Sequence, residues 1–302
     1  MSNKENYVIF NPEGGLGKII ASTAMIKHIK KNYPEHKIIV LSPWAEVYLN
    51  NPDVYRVYKN YNTPYFYRDY IEGRESVVLK GEPYFQTGHI YQKQHLIKSW
   101  CDLFNLEFDG DVNPKLYFNS VENDLYADNL KQSDKPILVF QTNGGPYEDE
   151  KPYCWTRDFP FEQAQILTNE LCKNFNVLQI GKEKCKRLEN ASFVEKIDNK
   201  RTMLSILLRS TKRILIDSCM QHAAAAFELP STVCWVGTKP EVFGYDIHTN
   251  ITPNLPAKND PILKPDAQFF DFDFNGPEFE YPYESNDLFN LQSIFDSVIK
   301  DH

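Results

Sequence analysis

The residues best suited to chemistry follow an apolar run that ends at residue 216 and are, in order, Asp217, Ser218, Gln221 and His222. Polar groups beside a core cost free energy unless they are paired or face a ligand. Ser218 is a suitable N-cap for a helix that begins near Cys219, and the free N–H groups and the dipole of a helix N-terminus favour a bound phosphate. The segment has two interpretations: a phosphate site, or a capped helix whose histidine is satisfied within the core.

A second candidate is the turn Glu13-Gly14-Gly15-Leu16-Gly17-Lys18, which separates an apolar run from a helical pattern. It lacks the first glycine and the hydroxyl residue of a phosphate-binding P-loop, and its glycine spacing is not that of a dinucleotide fingerprint. The turn follows the carboxyl end of a predicted strand, where open α/β sheets bind ligands. Its glycines either let the backbone approach a ligand or only form a tight turn.

A third candidate is Arg157, which precedes a predicted helix with Pro160 in its first turn. A guanidinium there would clamp phosphate oxygens, and the alternative is a solvated surface arginine. Upstream, Thr142 and Asn143 lie where another predicted strand ends, at the sheet edge where ligands bind.

The composition is that of a globular protein, because 42% of the 302 residues are hydrophobic and 25% are charged. A chain of this length has room for two domains of about 130–150 residues. The net charge of −8 argues against a general nucleic-acid-binding protein, which needs a basic surface. There is no signal-peptide core and no apolar run long enough to span a membrane, and the six scattered cysteines indicate free thiols. We expect a cytoplasmic protein, with a position peripheral to the inner membrane left open.

Short apolar runs alternate with helical patterns, which predicts an α/β protein of βαβ units with mostly parallel sheets. The pattern weakens between about residues 105 and 135 and begins again at Pro136, so we predict domains at residues 1–133 and 134–285 and a final helix within 286–302. The strands expected are Tyr7–Asn11, Lys37–Ser42, Val54–Tyr58, Ser76–Lys80, Pro136–Thr142, Asn176–Ile180, Lys212–Ile216 and Ser231–Val236. The helices expected are Ile19–Lys31, His95–Phe104, Phe161–Asn174, Arg201–Arg209, Gln221–Phe227 and Asn286–Ile299.

Taken together and in their order along the chain, the three candidate segments resemble the heptosyltransferase family, glycosyltransferase family 9. The family signature D-[ST]-G-x-x-H-[LI]-A-A-A-x-x-x-P is similar to residues 217–230, and its K-x-W-P is similar to residues 157–160. Its G-D-x-[IL], YPdAkI.hL, NP.vd.v and [FY]-G-[PS]-T-x-P segments are similar to residues 17–20, 33–41, 51–57 and, in part, 236–240. The resemblance spans roughly residues 7–60 and 136–245.

The resemblance implies a GT-B fold, in which two Rossmann-like domains face each other across a cleft. It implies that the carboxyl-terminal domain binds a nucleotide-sugar donor without a metal or other cofactor, and that the acceptor lies against the amino-terminal domain. Arg157 would stabilise the diphosphate leaving group. The residues implied for the donor are Thr142, Asn143, Gly181, Glu183, Asp217, Ser218, Gln221 and His222, and those implied for the acceptor-side loop are Gly14, Gly15 and Gly17.

Three positions depart from the family pattern. Cys219 replaces the usual glycine, and Phe159 replaces tryptophan. Lys18 stands where lipopolysaccharide heptosyltransferases carry an aspartate proposed as the catalytic base, and an ammonium ion is a poor base unless its pKa is depressed. Glu13, in the same turn, is therefore our candidate for the catalytic base, because a carboxylate can take the proton of an acceptor hydroxyl.

We therefore expect an inverting, metal-independent glycosyltransferase. It would move a heptose or another hexose-type sugar from a nucleoside-diphosphate donor to a glycan or other hydroxyl acceptor, as in the synthesis of lipopolysaccharide or another surface glycan. Two alternatives stay open: a GT-B protein that binds a nucleotide sugar without transferring it, and a GT-B-like sugar epimerase. A dehydrogenase is disfavoured because the dinucleotide fingerprint fails.

Overall fold

The computed structural model describes residues 5–60, 63–123, 134–154, 156–254, 283 and 287–300, and in them the strands form two parallel sheets. The strands before residue 80 are β1 Tyr7–Phe10, β2 Lys37–Ser42, β3 Val54–Lys59 and β4 Ser76–Leu79. They form a four-stranded sheet in the order β3-β2-β1-β4. The later strands are β5 Ile137–Gln141, β6 Asn176–Ile180, β7 Ser192–Phe193, β8 Lys212–Ile216, β9 Thr232–Cys234 and β10 Thr249–Ile251. They form a six-stranded sheet in the order β10-β9-β8-β5-β6-β7.

Helices connect most of the strands and cover both sheets. Those associated with the first sheet are α1 Leu16–Ser22, α2 Met25–Asn32, α3 Phe66–Tyr70, α4 Thr87–Ile90, α5 Leu96–Leu103 and α6 Ser120–Asn123. Those associated with the second are α7 Phe161–Leu171, α8 Lys200–Arg209, α9 Cys219–Ala226, α10 Pro240–Phe243 and α11 Leu291–Ile299. The α/β class with parallel sheets that the sequence predicts is confirmed.

The apolar runs form strands because they are buried on both faces. All four residues of β1 are buried, as are the last four of β8, and each of these strands has a parallel neighbour on both sides. A central strand of a parallel sheet has helices on its two faces, so it reads as a continuous apolar run rather than an alternating one.

The helical pattern after the first turn forms two helices rather than one. Ser22 and Thr23 donate their hydroxyls to the carbonyls of Ile19 and Ile20, at 2.8 and 2.7 Å. Such local bonds tighten and bend a helix. The Thr23 hydroxyl also accepts the backbone N–H of Lys115 at 2.9 Å, which fixes the break between α1 and α2.

One continuous apolar cluster joins the two sheets. It includes Ile19 and Ile20 of α1, Leu204 of α8 and Met220 and Ala223 of α9, all nearly inaccessible to solvent. The helices α1 and α9 therefore pack against each other across the junction. A second cluster, with α7 and α11, covers the opposite face of the six-stranded sheet.

Arg201, at the start of α8, ties the two halves together with polar contacts and is 5% exposed. Its guanidinium donates to both carboxylate oxygens of Glu122, at 2.5 and 2.9 Å. It also donates to the carbonyls of Glu46 and Tyr117, at 2.9 and 2.6 Å. Four bonds from one side chain satisfy a buried charge that would otherwise be costly.

Two expectations fall partly or wholly outside the described residues. The predicted domain boundary at residue 133 lies at the end of the undescribed stretch 124–133, and of the last part of the predicted second domain, residues 255–285, only Tyr283 is described. The final helix is present as α11, and the Ser297 hydroxyl at its end bonds that of Thr232 in β9 at 2.7 Å.

Candidate functional site

A cavity of about 700 Å³ lies where the carboxyl ends of β1 and β4 face those of β5, β6 and β8. Its wall on the side of the first sheet includes the turn at residues 14–18, Trp44, Glu82 and Tyr84. The opposite wall includes the loops that follow β5, β6, β7 and β8. This is the edge at which open α/β sheets bind ligands, and the cavity is of the size of a small-molecule site.

The start of α9 forms the floor on the side of the second sheet. Ser218 is its N-cap, and its Oγ accepts the backbone N–H of Met220 at 3.2 Å. The same hydroxyl donates to Oε1 of Gln141, at the end of β5, at 2.5 Å. Asp217, Ser218, Cys219 and Met220 all line the cavity. The first turn of the helix therefore presents its dipole and its N–H groups to the cavity wall.

Three cations line the cavity with no carboxylate partner among the described residues: Arg157, Lys200 and Lys239. No acidic oxygen of the described residues lies within 4.0 Å of their nitrogens, although Lys18 and Lys196, which also line the cavity, are paired. The stem of Arg157 packs over Gly144, where an added Cβ would lie 2.9 Å from Cδ of the arginine. Burial raises the pKa of the Asp217 carboxyl, and the nearby Arg157 guanidinium opposes the shift. The three cations without a described carboxylate partner suit a polyanion.

Asp158 holds the loop that carries Arg157. This fully buried carboxylate accepts from the backbone N–H groups of Gly144 and Cys154, at 2.9 and 2.8 Å, and from the side-chain amide of Asn143 at 2.9 Å. Asn143 lines the cavity, but Thr142 does not and instead accepts from Gln179 at 3.0 Å. The sequence does not single out Asp158, which holds the loop that positions its neighbour.

The two residues predicted after β6 are placed differently. Gly181 lines the cavity, and a Cβ there would lie 2.6 Å from the sulfur of Cys185. Glu183 is exposed and outside the lining. Glu195, just after β7, lines the cavity instead and accepts from the hydroxyl of Tyr147 at 3.2 Å.

His222 lies against the cavity as a neutral side chain. Burial lowers the pKa of its imidazole to about 3, and Nδ1 is 2.8 Å from the hydroxyl of Tyr245. Gln221 is fully buried, lies outside the cavity lining and donates its amide to the carbonyl of Phe243 at 3.0 Å. The structure therefore places Asp217, Ser218 and His222 at the cavity, whereas the Gln221 side chain is buried in the packing around α9.

The glycine turn approaches α9 very closely. A Cβ on Gly17 would lie 3.2 Å from the backbone nitrogen of Cys219 and 3.2 Å from Cδ2 of His222. Gly14 has a φ of 124°, in the region that favours glycine, and its carbonyl accepts from the indole of Trp44 at 3.3 Å. Gly14, Gly15 and Gly17 all line the cavity.

The two candidate catalytic residues of this turn lie in different surroundings. Lys18 lines the cavity, and its ammonium donates to both carboxylate oxygens of Glu82, at 2.5 and 2.6 Å. Glu13 does not line the cavity and pairs with Lys80 at 3.0 Å, with both side chains more than half exposed. Glu82, which sequence reasoning missed, follows the carboxyl end of β4, and the rule that directs attention to strand ends would have found it.

The two parallel sheets and the shared cavity define an α/β protein of the GT-B fold, as found in the heptosyltransferases of glycosyltransferase family 9. One similar structure is a family 9 glycosyltransferase from Veillonella parvula, with 10% identity, coverage of 82% of this chain and 85% of that chain, and a TM-score of 0.60. Another is ADP-heptose lipopolysaccharide heptosyltransferase II of E. coli, with 12% identity, coverage of 82% and 90%, and a TM-score of 0.54.

The E. coli heptosyltransferase WaaC, solved with ADP, is also similar, with 14% identity, coverage of 81% of this chain and 92% of that chain, and a TM-score of 0.51. No family model and no curated protein matches the sequence. At such identities the similarity establishes the fold, and it confirms the structural resemblance to family 9 that the sequence motifs predict.

Two further findings concern the described residues alone. They contain no group of three or more His, Cys, Asp or Glu side chains arranged to hold a metal ion. None of their helices is long and apolar enough to cross a membrane.

Proposed function

We propose that this protein is a glycosyltransferase that takes a sugar from a nucleoside-diphosphate donor and transfers it to a hydroxyl group. The observation that carries the proposal is the capped start of α9 beside Arg157, Lys200 and Lys239, three cations without a described carboxylate partner. A diphosphate satisfies both features, because its oxygens accept from helix N–H groups and neutralise the cations.

The donor would lie along the wall of the second sheet. Its diphosphate would contact Ser218 and the first turn of α9, and its nucleoside would extend toward Gly181 and Glu195 at the ends of β6 and β7. Among the solved structures of this fold, WaaC of E. coli holds ADP, which supports a nucleoside diphosphate as the ligand class. The sugar would then face the wall of the first sheet, where residues 14–18 and Glu82 meet the acceptor.

The chemistry is a single displacement with inversion. The acceptor oxygen forms a bond to the anomeric carbon, and the bond from that carbon to the diphosphate breaks, leaving its electron pair on a phosphate oxygen. Arg157 and the dipole of α9 stabilise the charge that develops on the leaving group. We propose a heptose or another hexose-type sugar and a glycan or other hydroxyl acceptor, as in the synthesis of a surface glycan.

We propose that residues 1–133 form the domain that binds the acceptor and residues 134–285 the domain that binds the donor, followed by a terminal helix within 286–302. The described contacts of α11 support assigning that helix to the donor side, because Lys212 of β8 donates to the carbonyl of Lys300 at 2.8 Å.

Nucleoside diphosphate binding tests the proposal. We expect ADP, GDP or UDP to raise the melting temperature of the protein, because a ligand that binds only the folded state stabilises it. Arg157→Ala should weaken this binding by about 10- to 100-fold, the cost of removing one charged hydrogen-bonding group. Lys173→Ala is the matched control, because Lys173 is an exposed cation of the same half, paired with Glu170 at the surface. Equal affinities of the two variants would contradict the assignment of the donor site.

Turnover separates the proposal from its rivals. A glycosyltransferase releases nucleoside diphosphate from its donor in the presence of an acceptor or, slowly, of water. A binding protein would retain the intact donor, and an epimerase would return a changed sugar without an acceptor. Chromatography of the nucleotide and sugar products distinguishes the three outcomes.

A further inference from the structure

The cavity contains a carboxylate that the sequence motifs do not indicate. Glu82 lies 64 positions after Lys18, on the turn that follows β4, and its two oxygens are 2.5 and 2.6 Å from the Lys18 ammonium. Both side chains line the cavity. Position 18 therefore holds a cation, and the structure brings a carboxylate to that cation from another element of the same sheet.

The pair is held rigidly. Glu82 caps a short helical turn, accepting the backbone N–H of Tyr84 at 3.1 Å. The Lys18 ammonium lies 4.3 Å from the centre of the Tyr84 ring and 5.9 Å from that of Trp100. Burial lowers the pKa of Lys18, and the Glu82 carboxylate opposes that shift. The lysine side chain is only 9% exposed, whereas that of Glu82 is 31% exposed, so the carboxylate is the accessible member of the pair.

The pair also lies near the donor wall. Burial raises the pKa of the Tyr84 hydroxyl, and the carboxylates of Asp217, on the opposite side of the cavity, and of Glu82 raise it further. A Cβ added to Gly17, the neighbour of Lys18, would lie 3.2 Å from the backbone nitrogen of Cys219. A hydroxyl that contacts Glu82 therefore lies in the same cavity as the first turn of α9.

We propose that Glu82 is the catalytic base of the transfer and that Lys18 is a positioning residue that orients its carboxylate. The inference rests on the proposed function. As the acceptor oxygen bonds to the anomeric carbon, its proton passes to a Glu82 oxygen, and the electron pair of the broken bond leaves with the diphosphate. The protonated carboxyl then releases its proton through its exposed side. Glu13, the base suggested by the sequence, is replaced in this role because it lies outside the cavity lining.

The test measures nucleoside diphosphate release from ADP-, GDP- and UDP-sugars, with water or added sugars as acceptors. Glu82→Gln keeps the shape of the side chain and the bond to Tyr84 but removes the base. We expect kcat to fall by about 10²- to 10⁴-fold, the range for general bases, with the KM of the donor and the affinity for nucleoside diphosphate nearly unchanged. Glu13→Gln, the matched control, should keep full turnover.

The positioning role of Lys18 has its own readout. In Lys18→Met kcat should fall while the KM of the donor and the affinity for nucleoside diphosphate stay nearly unchanged, and Lys18→Arg, which keeps a cation beside the Glu82 carboxylate, should restore part of kcat. A lysine with only a structural role would change stability without this split between kcat and KM and without rescue by arginine. If Glu82→Gln fails to fold because it leaves a buried ammonium unpaired, the double variant Lys18→Met/Glu82→Gln removes both charges, and a kcat below that of Lys18→Met tests the base.

The outcomes separate the two proposals. Full turnover of a folded variant that lacks the Glu82 carboxylate overturns Glu82 as the base and leaves the transferase standing. Loss of turnover with retained nucleoside diphosphate binding supports the base. A wild-type protein that binds no nucleoside diphosphate, or releases none from any donor, overturns the proposed function and this role with it.

Discussion

Single residues in this protein matter most where two backbones or two charges meet. Gly17 is needed for close approach rather than for an unusual φ, because it brings α1 against the start of α9. Asp158 and Arg201 act similarly on the polar side, since each buried charge fixes several backbone groups at once. Such residues fix how neighbouring elements pack around the cavity.

Gly17→Ala should destabilise the protein by about 1–3 kcal/mol, the usual cost of forcing extra volume into a packed contact. The added Cβ would lie 3.2 Å from the Cys219 nitrogen, so α1 or α9 must shift and nucleoside diphosphate binding should weaken as well. Urea unfolding and ligand titration measure the two effects. Gly15→Ala is the control, because a Cβ there meets nothing within 4 Å and at most a helix cap is lost. Equal losses in both variants would contradict the close-approach explanation.

At the scale of elements, α9 is the part of the fold on which the site depends. Its N-cap connects it to the end of β5 through Gln141, and its four alanines are buried between the sheet and α1. Small side chains let the helix lie close to its neighbours, and the cap fixes where it begins. The position of its first turn in the cavity follows from both.

Ser218→Ala should lower the free energy of unfolding by about 1–3 kcal/mol, since it removes the cap of α9 and leaves the buried Gln141 oxygen without its donor. It should also weaken nucleoside diphosphate binding. Asn290→Ala is the matched control, because Asn290 caps α11 through the Ser293 N–H at 3.2 Å and does not line the cavity. That variant should lose about 1 kcal/mol of stability and keep its affinity. If Ser218→Ala kept its affinity for nucleoside diphosphate, Ser218 would stabilise α9 without contributing to the binding site.

At the scale of the molecule, neutral histidines lie at and near the junction of the halves. His95 Nδ1 accepts the backbone N–H of Ile97, so its Nε2 carries the proton donated to the carbonyl of Gly244, across the junction, at 3.1 Å. Burial lowers the pKa of His95, His89 and His248 to about 4 and that of His222 to about 3. Contact between the halves thus depends on imidazoles that stay uncharged.

The stability should therefore fall in acid. Between about pH 6.5 and pH 4 the unfolded histidines bind protons that the folded ones do not. The free energy of unfolding therefore rises with pH through this window, and the contribution of the histidines is fully present above it. Each histidine with a folded pKa near 4 contributes about 2 kcal/mol between pH 6.5 and 5. Urea unfolding across this range measures the slope, and His95→Gln should make it shallower. A flat profile would show that these imidazoles are not held neutral.

The sequence by itself determined the features that depend on neighbouring residues. Apolar runs marked the buried parallel strands, Ser218 marked the start of α9, and the order of the segments around Arg157 and Asp217 indicated the GT-B fold that the structure confirms. The strands and the helix start follow from side-chain periodicity and local hydrogen bonding, which a short segment expresses on its own, whereas the GT-B fold was implied by the resemblance to family 9.

Only the tertiary structure decided how distant residues meet. It paired Lys18 with Glu82, placed Glu13 outside the cavity lining and turned Gln221 into the packing around α9. Residues 64 positions apart carry no shared periodic signal, because their contact depends on how β1 and β4 align in one sheet. The direction of a side chain at a helix start likewise depends on the neighbours that surround it. The chemistry proposed at Glu82 is accordingly a property of the folded chain.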